Sequence, residues 1–185
     1  LFMKLRNIAL LLTATISISN QVNAQQSIQK VRAYRQANEQ KIMAEYFDFL
    51  AIPNVFNDTP NIQRNITYIQ KMMESRGIPV KLLGGRTPGV SKAVMGRISV
   101  PGATQTIGFY AHYDGQPVNP KQWAAGLEPF KPVFLTAPVE SGGKIIGGYQ
   151  PGQAIQPNWR ISGRGSADDK AGVMTILNAY EALIK

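Results

Sequence analysis

Two short polar stretches of the sequence carry side chains that can bind a metal ion. The first is His112-Tyr113-Asp114, and the second is Asp168-Asp169, which follows the glycine-flanked turn at 163–165. Imidazole nitrogen and carboxylate oxygen are both ligands that zinc accepts in proteins. The chain has a single histidine and no cysteine, so any metal must be held by imidazole and carboxylate groups.

Ordinary structural roles are the alternative for both stretches. Carboxylates are favoured at helix N-termini, so Asp169 can be a helix N-cap and Asp168 a solvated charge. His112 ends the apolar run 107–111, which predicts a buried strand over 107–113, and a histidine at a strand end can simply be packed there. Strand alternation nevertheless places Asp114 on the same side as His112, where a carboxylate fixes the tautomer of a metal-bound imidazole.

Taken together, the stretches 112–118 and 163–170 resemble a known family over roughly residues 28–185. This is the zinc metallopeptidase family of carnosinase-type dipeptidases, glutamate carboxypeptidase, aminoacylase, acetylornithine deacetylase and succinyl-diaminopimelate desuccinylase. The sequence is most similar to the dipeptidase branch, because Trp123 and the stretch 127–133 fall where that branch has similar residues.

The resemblance implies a role for each polar residue of the two stretches. Asp168 would bridge two zinc ions and His112 would bind one of them, while Asp114, as a catalytic residue, would orient His112. Asp169 would be a neighbouring helix cap, and the Asp168–Asp169 peptide bond would be cis. The implied activity is hydrolysis of amide bonds in peptides or acylated amino acids by a metal-activated water. Co2+ or Mn2+ also suits such ligands, and the full-length protein would be a homodimer.

The sequence departs from the family in two places. The family has Lys-Gly after the aspartates, whereas this chain has Lys170-Ala171-Gly172, which could shift the helix start by one residue. The family's later Glu-Glu motif, which supplies the general base, its later metal ligands and its dimerisation domain are absent from the sequence, which ends at Lys185. We therefore expect residues 25–185 to be the N-terminal portion of a catalytic domain that is inactive alone. A non-catalytic remnant and a basic module for anionic partners are the alternatives.

The elements that position these residues follow from hydrophobic periodicity and turn signals. The pattern predicts an amphipathic helix over 28–50 that ends at Ile52-Pro53, and a second helix capped by Thr59 that ends at Gly77. Strands are predicted at 80–83, 93–100 and 107–113, before a terminal helix that starts at the aspartates. The fold class is therefore α/β, an incomplete mixed sheet flanked by helices. Residues 136–162 form an insertion, either a hairpin flap or a surface loop, of which we favour the loop.

Residues 1–24 have the pattern of an export signal. Lys4 and Arg6 precede the apolar run 8–18, and cleavage is expected after Ala24. This predicts a periplasmic or secreted protein that is not in the membrane once the signal is removed. The net charge of +9 falls to +7 without Lys4 and Arg6, and the remaining basic residues are scattered. Because they form no basic run, we expect no nucleic-acid partner.

Overall fold

A computed structural model describes residues 2–84 and 92–185 of the chain, with side chains from residue 25 onward. The predicted export signal, residues 1–24, therefore lies outside the residues whose side chains are described. The helices are α1 (Phe2–Ala51), α2 (Thr59–Glu74) and α3 (Lys170–Ile184), and the strands are β1 (Val80–Leu83), β2 (Ala93–Gly96), β3 (Val133–Leu135), β4 (Ile145–Gly147) and β5 (Arg160–Ser162). In the part that the structure describes, no helix is long and apolar enough to cross a membrane.

The ends of the helices follow the local signals of the sequence. Helix α1 ends at Ala51, ahead of Pro53, as predicted. Helix α2 begins one residue after its cap, which is Asp58 and not Thr59, because the Asp58 carboxylate accepts a hydrogen bond from the Asn61 N–H at 3.3 Å. The helix stops before Gly77, which has a φ of 70°. Glycine adopts this left-handed conformation at little cost and is therefore common just after a helix.

The core forms where the three helices meet. Phe49 and Leu50 of α1 have no exposed surface, and Leu177 of α3 is only 4% exposed. Their partners come mainly from α2 and the turn that follows it. The buried cluster comprises Tyr46, Phe49, Leu50, Ile52, Ile69, Met72, Ile78, Val173, Met174 and Leu177. Burial of these apolar side chains is the main favourable contribution to the packing of α3 on α1 and α2.

A buried arginine links the same three helices electrostatically. Arg76, just after α2, donates from Nη2 to Glu45 of α1 at 2.6 Å, and its Nε lies 2.9 Å from a carboxylate oxygen of Glu181 in α3. Its side chain is only 2% exposed. Because both carboxylates sit beside one guanidinium, the network fixes the register of the helices more than it adds net stability.

The sheets are small, and their ladders are antiparallel. Strands β1 and β2 form one pair, and the second sheet has the order β4-β3-β5. The predicted α/β class is confirmed. The stretch predicted as a strand over 107–113 is extended but belongs to neither sheet, and Ile107, Phe109 and Tyr110 are 76%, 74% and 87% exposed. That prediction was wrong because a strand requires a hydrogen-bonded neighbour, which apolar periodicity does not supply.

The insertion 136–162 is more ordered than a surface loop. It contains β4 and β5, which pair with β3, and Gln40 of α1 accepts hydrogen bonds from Tyr149 and Gly152. Within it, the Tyr149 ring centroid lies 6.0 Å from that of Phe47 in α1, and the Trp159 ring centroid lies 5.3 Å from that of Phe134 in β3. The preference for a loop was wrong, because the aromatic contacts that order this region join residues far apart in sequence.

Replacement of Arg76 by Met should lower the free energy of unfolding by about 3–5 kcal/mol, because the partly buried Glu45 would lose its counter-charge and Glu181 would keep only the exposed Lys41 as a cationic partner. Urea denaturation followed by circular dichroism measures this loss. Lys131→Ala is the control, since its ion pair with Glu128 is exposed on both sides and should contribute less than about 1 kcal/mol. Equal losses in the two variants would contradict the role of the buried network.

Candidate metal centre

The second polar stretch forms the turn that starts α3. Strand β5 leads into this turn, where the Arg164 N–H donates to Pro129 O at 2.6 Å and the Tyr46 hydroxyl donates to Ser166 O at 2.8 Å. Gly165 has a φ of 81°, a conformation that favours glycine. The Asp168–Asp169 peptide bond is cis, as expected.

Asp169 uses its two carboxylate oxygens for two different elements. Oδ1 accepts the N–H of Gly172 at 3.1 Å, which makes Asp169 the N-cap of α3, as predicted. Oδ2 accepts the backbone N–H of His112 at 3.2 Å. One carboxylate therefore joins the helix start to the first polar stretch, and both of its oxygens already accept hydrogen bonds.

Gly172 leaves the room that this cap needs. A Cβ atom added at Gly172 would collide with the Asp169 carboxylate. The extra residue in Lys170-Ala171-Gly172 does not delay the helix, which starts at Lys170 directly after its cap. The glycine thus sits at the third helical position, where its bare Cα lets the capping carboxylate approach the backbone.

His112 is oriented by the residue two positions further on. Its Nδ1 lies 3.0 Å from the backbone oxygen of Asp114 and 3.4 Å from the Asp114 carboxylate. Both oxygens can accept a hydrogen bond from a protonated Nδ1, and the backbone oxygen is the nearer one. With the proton on Nδ1, the lone pair of the neutral ring is on Nε2, the nitrogen that faces Asp168.

The two polar stretches meet at His112 and Asp168. The imidazole Nε2 and the carboxylate Oδ1 are 2.9 Å apart, and the two side chains are 37% and 88% exposed. All three residues predicted for the site, His112, Asp114 and Asp168, thus lie together, with Asp168 open to solvent.

The pKa of His112 is raised above its ordinary value. Burial lowers the pKa, but this effect is outweighed by the hydrogen bonds to the Asp114 backbone oxygen and the Asp168 carboxylate, and by the negative charges of both residues. The imidazole is therefore held between two acceptors that favour its protonated form when no cation is bound.

The pair fits part of a zinc ligand set. Two ligands bound at about 2.0 Å to a tetrahedral ion lie roughly 3.3 Å apart, close to the observed separation of the two atoms. Across residues 25–84 and 92–185, however, no group of three His, Asp or Glu side chains is arranged to hold a metal ion. The described residues therefore offer two donors of the right chemistry, whereas a structural or catalytic zinc needs at least three protein ligands.

Lys170 follows directly after the two aspartates, and the sequence predicted no role for its side chain. Its side chain is completely buried, with Nζ donating to Phe49 O at 2.6 Å and to Ile52 O at 2.7 Å. Burial, with a smaller contribution from the charge of Arg64, lowers the pKa of Lys170 to about 7. The spacing of the sequence contained a signal for this burial, because Lys170 falls on the same helical face as Val173 and Leu177.

Comparison with known proteins identifies the fold. No protein-family model matches the sequence, and no curated protein matches it. Among solved structures, the chain is similar to the di-peptidase Dug1p from Saccharomyces cerevisiae, with a TM-score of 0.62 and 18% sequence identity. The match covers 84% of this chain but only 31% of the dipeptidase chain. At this identity the similarity establishes a shared fold over about a third of that protein.

Substitution of Asp168 by Asn should lower the pKa of His112, because it removes a negative acceptor that stabilises the imidazolium form. An NMR titration of the ring protons measures this directly, since the chain has one histidine. In the wild type the raised pKa stabilises the fold below pH 6.5, and this contribution disappears as the pH rises through the folded-state pKa. An unchanged pKa in the variant would rule out the contact. Glu140→Gln, at the exposed turn Val139–Ser141, is the control for a general change in charge.

Substitution of Gly172 by Ala should destabilise the protein, although Gly to Ala inside a helix usually stabilises by about 0.5–1 kcal/mol. The added methyl would displace the Asp169 carboxylate, and loss of a cap costs about 1 kcal/mol. Thermal unfolding measures the sign of the change. Gly108→Ala is the matched control, because a Cβ at Gly108 meets no atom within 4 Å. A higher melting temperature for Gly172→Ala would show that the cap does not need the glycine.

Proposed function

We propose that this chain is the N-terminal part of the catalytic domain of a metal-dependent hydrolase that cleaves amide bonds in peptides or acylated amino acids. The contact between His112 Nε2 and Asp168 Oδ1, 2.9 Å apart and separated by 56 positions in sequence, is the observation that carries the proposal. It supports the proposal because the imidazole and the carboxylate come from two separate loops of a fold shared with a dipeptidase.

In the proposed site, His112 and Asp168 would hold Zn2+, with Co2+ or Mn2+ as alternatives because nitrogen and oxygen ligands accept all three. When bound, zinc supplies Lewis acidity and activates water for attack on a carbonyl. Asp168 would bridge a second ion through its other oxygen in the complete enzyme, and its exposure leaves room for that role. The two oxygens near Nδ1, from the backbone and carboxylate of Asp114, would keep the proton on that nitrogen.

The remaining ligands and the general base would come from residues outside this sequence. Two observations support this division: the described residues offer two donors at the site, and the chain spans 31% of the dipeptidase that it matches. We expect the isolated chain of 185 residues to bind metal weakly and to be inactive. We further propose that the full-length protein is a secreted or periplasmic homodimer, and that its substrate is a peptide or an acylated amino acid.

The full-length protein should hydrolyse dipeptides or acylated amino acids, lose this activity on treatment with a chelator and regain it with Zn2+. His112→Ala and Asp168→Ala should each reduce kcat/KM by at least about 100-fold, because each removes a ligand. Hydrolysis of a panel of dipeptides, with metal content measured on the same samples, provides the test. Lys131→Ala, an exposed change outside the two loops, should leave kcat/KM unaltered. Undiminished hydrolysis after either ligand substitution would overturn the proposal.

A further inference from the structure

The segment that connects α1 to α2, residues 49–56, contacts both loops of the candidate site, the first loop being residues 112–118 and the second residues 163–170. It includes the last turn of α1 and the short stretch before the α2 cap. None of its residues belongs to either motif. Because both loops are bonded to this one segment, its conformation sets where His112 and Asp168 lie relative to each other.

The first loop is bonded to the connecting segment mainly through Asn54. The side-chain Nδ2 of Asn54 donates to Tyr113 O at 2.9 Å, and the Gly115 N–H donates to Asn54 O at 2.7 Å. The Phe56 N–H then donates to Gly115 O at 2.9 Å, and a parallel bridge joins Val55 to Gly115. Asn54 therefore holds the backbone between His112 and Asp114 in place by hydrogen bonding, and this part of the loop orients the imidazole.

The second loop is bonded to the same segment through the first residue of α3. The ammonium of Lys170 donates to Phe49 O and Ile52 O, and it lies 4.4 Å from the centroid of the Phe49 ring. These carbonyls stand at the end of α1, where helical carbonyls lack intrahelical partners. Asp168 is two positions before this anchored lysine, so the anchor fixes the turn that carries it.

Asn54 also lies where the two loops touch. A Cβ at Gly115 would stand 3.3 Å from both side-chain polar atoms of Asn54 and 3.1 Å from Arg164 Nε. A Cβ at Gly165 would stand 3.4 Å from Asn54 Nδ2. Arg164 completes the junction by donating from Nη2 to Gln116 O at 3.0 Å. Asn54 has no exposed surface, so its amide is fixed between glycines from both loops.

We propose that Asn54 is a positioning residue that sets the separation of His112 and Asp168. The inference rests on the proposed function only in treating that pair as metal ligands. The amide acts on the Tyr113 carbonyl and touches neither ligand. Loss of its hydrogen bond should let the first loop shift against the second, while the helical core, which Asn54 does not join, stays in place.

The single histidine allows a direct test in the metal-free chain at fixed pH. At about pH 5 an imidazole is protonated, so a change in its NMR shifts reports its surroundings and not its protonation. The change in the His112 ring 15N and 1H shifts that Asp168→Asn causes therefore measures the contact between the two side chains. In an Asn54→Ala background this change should shrink to less than about half of its wild-type size, by the logic of a double-mutant cycle. If Asn54→Ala does not fold, Asn54→Ser, which also loses the reach to Tyr113 O, takes its place.

Tyr68→Phe is the matched control, because it deletes one side-chain hydrogen bond, from Tyr68 to Glu45 O at 3.0 Å, away from the site. It should lower stability without altering the response of His112 to Asp168→Asn. A full response in the Asn54→Ala background would overturn the proposal. So would an equal reduction in the Tyr68→Phe background, since the effect would then follow from stability alone.

A second measurement separates this inference from the proposed function. Titration of the chain with Zn2+ should give about 10-fold weaker binding for Asn54→Ala than for wild type, no change for Tyr68→Phe, and no site binding for His112→Ala. If His112→Ala leaves hydrolysis by the full-length protein undiminished while Asn54→Ala still reduces the His112 response, the ligand role fails and the positioning role stands. Equal zinc affinity in wild type and Asn54→Ala, with an unreduced response, would remove the positioning role alone.

Discussion

The buried ammonium of Lys170 is the constraint on which the arrangement of the site depends. A lysine with no exposed surface must satisfy its donors inside the protein, and here the acceptors are carbonyls at the end of α1. Phe49 O also accepts the Ile52 N–H at 3.3 Å, and the negative end of the helix dipole favours a cation at that position. The first residue of α3 is therefore fixed to the last turn of α1, and the aspartates immediately before it are fixed with it.

Several other polar groups near Lys170 each bond to two separate parts of the chain and so hold the site together. Asp169 caps α3 and also receives the His112 N–H, while Asn54 joins the Tyr113 carbonyl to the segment that Lys170 anchors. At the opposite end of α3, Arg76 brings Glu45 and Glu181 together. Helix α3 is thus held at both ends by buried charged groups, and apolar packing fills the space between them. Directional contacts at the ends give α3 a defined rotation and register, which nonspecific apolar burial does not.

The sequence predicted those features that depend on neighbouring residues. Helix α2, the start of α3 and β1 follow from periodicity and from caps. The position of the aspartates before an apolar run indicated the capping role of Asp169, whereas the cis bond was expected only from the family resemblance. The features that the sequence did not predict depend on contacts between residues far apart in the chain. The stretch 107–113 has the composition of a strand but no ladder among the described residues. The insertion 136–162 is ordered by Tyr149 against Phe47 and by Trp159 against Phe134. The role of Asn54 was equally invisible, because its partner Tyr113 lies 59 positions away.

Burial differs sharply between the residues that support the site and the exposed pair that they position. The supporting residues Asn54 and Lys170 have no exposed surface, whereas Asp168 is 88% exposed. Because the inner side of both loops is filled by these supports and by Asp169, any further ligand has to approach from the solvent side. The fold thus supports His112 and Asp168 from behind and leaves their front open to solvent, as the proposed metal site would require.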